Sequence, residues 1–119
     1  MYYIYVVKCS DESLYTGTAK NLYARIACHY YKKPQCAKYT KSHQVTSLEG
    51  AWQTENKGDA LKLECFIKKL DKSHKLKLIQ NPDLLKTKYG DCFLNRGKEY
   101  IHINVSLEEC IQNSDTRTK

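Results

Sequence analysis

The chain has 119 residues and a formal net charge of +7, with 41% hydrophobic and 28% charged residues. That length suits one domain with a modest core, and that balance excludes a fibrous or wholly disordered chain. The longest apolar run, YYIYVV at 2–7, is too short to cross a bilayer, the N-terminus has no secretory signal pattern, and none of the six cysteines has a short zinc-like spacing, which together predict an intracellular protein with reduced thiols and no membrane partner.

YYIYVVKC at 2–9 is rich in β-branched and aromatic residues and predicts a buried strand. SDES at 10–13 is turn chemistry, and LYTG at 14–17 predicts a second strand that makes a hairpin with the first. Asn21 is placed to cap a helix running to about Tyr31, with Leu22, Ile26 and Tyr30 on its core stripe. Pro34 ends it, and QCAKYTKSH at 35–43 is expected as a polar, basic loop. VTSLEGAW at 45–52 predicts a third strand, weakened or bulged at Gly50.

Lys57-Gly58-Asp59 suggests a turn, with Asp59 as the N-cap of a helix over 60–70 that buries Ala60, Leu63, Phe66, Ile67 and Leu70. Ser73 is a candidate cap for a short helix at 74–80, and NPD at 81–83 breaks the chain. Beyond it, LLKTKYGDCF is ambiguous, EYIHINVS at 99–106 alternates like a strand, LEECIQ at 107–112 suggests a further helical turn, and NSDTRTK is expected to be a disordered tail. The expected fold is α+β: a small three-stranded, mostly antiparallel sheet flanked by helices in the order β-β-α-β-α-α, as one domain over 1–80 with a C-terminal extension over 81–119.

Charge is unevenly spread. Residues 1–80 hold 14 Lys and Arg against 7 Asp and Glu, whereas residues 81–119 hold 6 of each, so all the excess lies in the first two-thirds. Such a field attracts polyanions, either nucleic acid or an anionic membrane surface. Lys32, Lys33, Lys38 and Lys41, with Tyr39 among them, have the basic and aromatic interleaving of a phosphate-tracking surface and are the candidate DNA contacts.

The polar residues on the predicted elements form a second pattern. Tyr5 and Tyr15 lie on the two strands of the hairpin and can come close across it. Arg25 and His29, four apart, stack on one side of the first helix. Glu64 stands at the edge of the apolar stripe of the later helix, although its i,i+4 neighbour Lys68 offers it an ordinary helix-supporting role. Taken singly, each of these residues has a structural explanation.

Taken in order, YIY at 3–5, YTG at 15–17, Arg25, His29 and Glu64 resemble the GIY-YIG nuclease superfamily, with the nearest likeness to small single-domain members related to the UvrC N-terminal domain, which also carry an AKYT segment, here at 37–40. The resemblance covers about residues 2–80 and says nothing about 81–119. Tyr3 replaces the glycine of the first motif and Thr16 the isoleucine of the second, while Thr18 stands where UvrC-like domains have a lysine.

The resemblance implies a metal-dependent DNA endonuclease that leaves 5′-phosphate and 3′-hydroxyl ends. It is expected to be structure-selective or weakly sequence-specific, to act on DNA, with branched or flapped forms beside nicked and plain duplex as the candidate substrates, and to serve repair, recombination or processing. Tyr5, Tyr15, Arg25, His29 and Glu64 are its expected catalytic residues, with Glu64 as the ligand of one Mg²⁺ (or Mn²⁺). The planar fork of Arg25 suits the scissile phosphate, and either Tyr5 or Tyr15 is the expected base. Holding a free tyrosine ionised near neutral pH costs roughly 3–4 kcal/mol. With threonine at position 18, the metal-bound water, Arg25 or a loop lysine such as Lys38 is expected to favour the phenolate. The competing expectation is an inactive nucleic-acid-binding module on the same fold, and residues 81–119 are the expected place for a protein partner.

Overall fold

The computed structural model describes residues 1–34, 36–85 and 100–117. The elements are β1 (Tyr2–Cys9), β2 (Leu14–Ala19), α1 (Leu22–Tyr30), α2 (Lys38–Ser42), β3 (Val45–Thr54), α3 (Lys57–Lys69), α4 (Lys72–Gln80), a 3-10 turn at Pro82–Leu85, β4 (Ile101–Ile103) and α5 (Leu107–Arg117). The architecture is α+β, with one antiparallel sheet in the order β2-β1-β3-β4. Among the described residues the sheet has four strands where three were expected, because β4 pairs with β3 at Ala51–Gln53.

Strand alternation sorts the side chains into two cores. Ile4, Val6 and Trp52 face α3 and α4, where they bury Ala60, Leu63, Ile67 and Leu78. Tyr5, Val7, Cys9 and Ala51 face the other way, against Leu22 and Ile26 of α1 and Leu107 and Cys110 of α5. The central strand β1 is nearly all apolar because both of its faces are covered.

The Asp11 carboxylate accepts from the Ser13 N–H at 3.1 Å in the hairpin turn, and Glu12 takes a left-handed φ of 69°. In β3 the pairing passes from Val6↔Gly50 to Val7↔Leu48, so Glu49 is an extra residue and a bulge sits next to Gly50, as expected there.

Asn21 caps α1 by accepting from the Ala24 N–H at 3.1 Å. Five elements depart from expectation. Residues 38–42, expected within a loop, form the short helix α2. Asn56, not Asp59, caps α3, so Lys57-Gly58-Asp59 is the first helical turn instead of a separate one. Asp71, not Ser73, caps α4 by accepting from the His74 N–H at 2.9 Å. The strand expected over 99–106 is Ile101–Ile103 only, and the tail expected from 113 continues α5 as far as Arg117. Most of LLKTKYGDCF lies outside the described residues.

α5 packs along α1, where the Tyr23 hydroxyl donates to Glu109 at 3.0 Å, and the Tyr100 hydroxyl donates to the Asp59 carbonyl at 2.7 Å. Among the described residues, no helix is long and apolar enough to cross a membrane.

Candidate active site

The hairpin register sets Tyr5 directly opposite Gly17. A Cβ built on Gly17 would lie 2.7 Å from Cζ of Tyr5, so the phenol occupies space that only glycine leaves free. The tyrosine therefore lies flat over β2, the edge strand of the sheet, while remaining 1% exposed.

His29 meets it from α1. The Tyr5 hydroxyl and Nε2 of His29 are 2.6 Å apart, and His29 is fully buried. On its other side, Nδ1 of His29 is 2.7 Å from the Thr40 hydroxyl, which is buried in α2 and lies 3.0 Å from the Ala37 carbonyl. Burial first, and the neighbouring Arg25 charge second, lower the His29 pKa to about 4, so the ring is neutral at physiological pH. Burial likewise raises the Tyr5 pKa well above the usual phenol range, although Arg25, which also donates a hydrogen bond to the phenol, pulls it downward.

Arg25 stands one turn before His29 on α1 and is half-buried. The Tyr5 phenol feels Arg25, Tyr15 and Glu64, so the five residues singled out from the sequence share one neighbourhood. Tyr15 sits at its centre. Its ring centroid is 6.5 Å from Tyr5, 5.6 Å from His29 and 5.6 Å from Tyr39, which stacks on it. Glu64 reaches this site from α3, the helix on the opposite face of the sheet, where its carboxylate pairs with Lys68 at 3.4 Å and is 19% exposed. The site thus straddles the open β2 edge, with α1 on one side and α3 on the other.

Lys68 is one residue whose role the sequence pattern hid. Its ammonium lies 5.8 Å from the centre of the Tyr15 ring as well as against Glu64. It supplies beside the tyrosines the cation that Thr18 does not, and the i,i+4 spacing from Glu64 gave no sign of that second contact. Thr40 is the other, and the AKYT segment at 37–40 was its only signal.

The candidate DNA contacts divide in two. Lys38 and Lys41 are exposed on α2, and Tyr39 between them is half-buried, with His43 stacked on its other side at 4.0 Å. Lys32 and Lys33 end α1: their N–H groups donate to the His29 carbonyl at 3.2 Å and the Cys28 carbonyl at 3.0 Å, a Schellman closure with Lys32 at a left-handed φ of 55°. The loop Asp11 lies 3.6 Å from Nε2 of His43 and so ties the hairpin turn to this basic segment.

A metal would find one carboxylate here. Among the described residues, no three His, Cys, Asp or Glu side chains gather into a ligand cluster. A partly exposed single carboxylate fits a hard divalent cation that keeps most of its water, and does not fit a zinc or calcium cage.

The chain is also similar to known proteins. Residues 1–77 match the family model described as the GIY-YIG catalytic domain. The UPF0213 protein YsiG of Lactococcus lactis is 38% identical over 103 residues, which cover 86% of this chain and 96% of the relative. A UPF0213 protein of Fusobacterium nucleatum is 42% identical over 82 residues, 69% of this chain and 80% of its own. One from Staphylococcus aureus is 44% identical over 79 residues, 66% and 94% respectively. No solved structure matches the chain. The paired tyrosines across the hairpin, the α1 side chains beside them and a family match over two-thirds of the sequence lead to one conclusion: this chain belongs to the GIY-YIG family, a nuclease family.

Proposed function

We propose that this protein is a divalent-metal-dependent DNA endonuclease that hydrolyses phosphodiester bonds, with selectivity for DNA structure over sequence and a place in repair, recombination or DNA processing. The observation that carries the reading is the buried 2.6 Å contact between the Tyr5 hydroxyl and Nε2 of His29, beside Arg25 and at an open sheet edge. The neutral ring can accept the phenol's hydrogen bond, and burial, which lowers the His29 pKa and raises that of Tyr5, holds the proton on the phenol until bound substrate shifts that balance.

Arg25 grips the scissile phosphate, because its charge is permanent and its fork matches two phosphate oxygens. Tyr5 takes a proton from the attacking water as its own proton passes to Nε2 of His29. The phosphate bonded to Arg25 offsets the charge that helps to depress His29, so the ring is a stronger base with substrate than without. The P–O3′ bond breaks, leaving a 5′-phosphate, and the departing O3′ takes a proton from solvent. Tyr15, between Lys68 and Tyr39, walls the site and orders the water. Glu64 would hold Mg²⁺ (or Mn²⁺), which when bound supplies Lewis-acid shielding of the phosphate charge.

Lys38, Tyr39 and Lys41 on α2, with Lys32 and Lys33 at the end of α1, are the proposed track for the DNA backbone. Strand β4 pairs at the far side of the sheet, and among the described residues β2 keeps one unpaired edge.

One observation favours the second reading, an inactive DNA-binding module: the Glu64 carboxylate is already paired with Lys68 at 3.4 Å, and a metal must compete for it. Cleavage of labelled linear, flapped and branched DNA with Mg²⁺, Mn²⁺ or EDTA, by the parent and by Glu64→Gln, separates the two. Metal-dependent cutting that the variant lacks is the expected result; salt-sensitive binding without cutting by the parent replaces the enzyme with the binding module.

A further inference from the structure

The proposed hydrolysis needs a free lone pair on Nε2 of His29, and a neutral imidazole offers one only if its proton sits on Nδ1. Counting protons from the inner end of the buried chain gives that arrangement. At the inner end, Thr40 has one hydroxyl proton and lies 3.0 Å from the Ala37 carbonyl, which can only accept. With its proton directed there, the Thr40 oxygen must accept from Nδ1–H of His29 at 2.7 Å. The outer end is consistent with this: the Tyr5 oxygen accepts from Arg25, and its own proton is free to go to Nε2 at 2.6 Å. The inner count puts the histidine proton on Nδ1, and the outer contact accommodates it. Each donor in the series Tyr5, His29, Thr40 points inward and ends on a backbone carbonyl.

Thr40 itself is 0% exposed in a five-residue helix whose other members are lysine, tyrosine, lysine and serine. Its neighbours Lys38 and Lys41 are exposed on the same helix. A buried hydroxyl in so polar a segment is costly unless it is satisfied on both sides, and here it is, by Ala37 and His29.

We propose that Thr40 is a positioning residue for the hydrolysis, accepting from Nδ1–H of His29 so that Nε2 faces the Tyr5 hydroxyl as a ready proton acceptor, and that α2 thereby joins the DNA track to the base. This rests on the nuclease reading above for its catalytic consequence, but not for the tautomer. Thr40 touches neither substrate nor the reacting atoms. It acts through His29, and DNA held by Lys38 and Lys41 steadies the helix that carries it.

The test uses the full chain and two variants. Thr40→Val keeps the shape and removes the acceptor; Thr40→Ser keeps the acceptor. Long-range ¹H–¹⁵N NMR of the histidine rings, without DNA, is expected to show His29 as Nδ1–H in the parent and in Thr40→Ser, and a shift toward Nε2–H in Thr40→Val. In cleavage assays, Thr40→Val is expected to lose on the order of 10²-fold in kcat with little change in KM, and Thr40→Ser to stay near the parent. Backbone amide spectra that superimpose on the parent's exclude misfolding as the cause.

An Nε2–H tautomer in the parent overturns the proposal even if the protein cuts DNA. So does a Thr40→Val variant that cuts as fast as the parent, or a Thr40→Ser variant as slow as Thr40→Val. A parent that cuts no DNA overturns the nuclease reading and with it the positioning role, while the NMR result still decides the tautomer.

Discussion

Gly17 and Tyr5 face each other across the β1–β2 ladder, and the phenol of one fills the place where a side chain of the other would begin. A methyl group at position 17 has Cζ of Tyr5 at 2.7 Å, and neither ladder backbone can withdraw. Gly17→Ala is therefore expected to push Tyr5 off His29. We expect a loss of about 1–3 kcal/mol in urea unfolding and of roughly 10²-fold in cleavage. Unchanged activity would show that the Tyr5–His29 contact is not used.

His29 makes stability depend on pH with a definite sign. Its folded pKa is lowered to about 4 from an ordinary 6.5, first by burial and then by Arg25. Between those values the unfolded ring binds a proton that the folded ring refuses. Stability from this residue is thus complete above about pH 6.5 and falls as pH drops toward 4, by on the order of 3 kcal/mol in full. His102, also depressed by burial, adds a contribution of the same sign. Urea midpoints for the parent and His29→Gln across pH 8 to 4 isolate the term: the parent's curve should be the steeper below about pH 6.5.

Lys68 is expected to matter twice. Lys68→Met removes the cation above the Tyr15 ring and frees the Glu64 carboxylate. Because Lys68 is half-exposed, the stability change should be under about 1 kcal/mol. Cleavage at saturating metal should fall about tenfold, while half-maximal activity should need less Mn²⁺. A rise in the Mn²⁺ requirement would mean that Lys68 does not compete for Glu64.

Lys32 holds a left-handed backbone at the end of α1, where glycine is the unstrained choice. Lys32→Gly should raise thermal stability, by about 0.5–1 kcal/mol, and weaken DNA binding. Gain in one and loss in the other, measured on the same preparation, would mark the lysine as kept for contact at the expense of the fold. A variant that binds DNA as tightly as the parent removes Lys32 from the track.

Salt should separate the lysines of α2 from bystanders. Each phosphate neutralised by a lysine adds about 0.9 to the slope of log affinity against log salt on duplex DNA. The double substitution Lys38→Ala and Lys41→Ala is expected to flatten the parent's slope by about 2. A parallel line would place the DNA on another surface.

The hairpin, the cap of α1 and the side chains of the site were legible because each rests on local chemistry: alternation in Tyr2–Cys9, an amide one turn before Ala24, a spacing of four between Arg25 and His29. α2 was not, since five polar residues carry no amphipathic signal and the segment owes its shape to Thr40 and Tyr39 packing on His29 and Tyr15. Asn56 and Asp71 are not distinguishable from Asp59 and Ser73 as caps by residue type, and the packing of Ala60 and Leu78 goes with helices that start earlier. β4 is shorter than its alternating run, pairing with only Ala51–Gln53 of the ten-residue β3, which alternation alone does not reveal. Lys68 shows a different limit: one residue satisfied a simple helix rule and a second contact across the sheet edge at once.

Among the described residues β2 has a strand on one side only, and Tyr5, Tyr15 and Glu64 meet beside that border. A polymer can be laid against such a border anywhere along its length. It need not be threaded, and no terminus has to be found first. Circular DNA without a free end should therefore be attacked as readily as a linear fragment of the same sequence, and the first product should be the nicked or opened circle, with no ladder of mononucleotides.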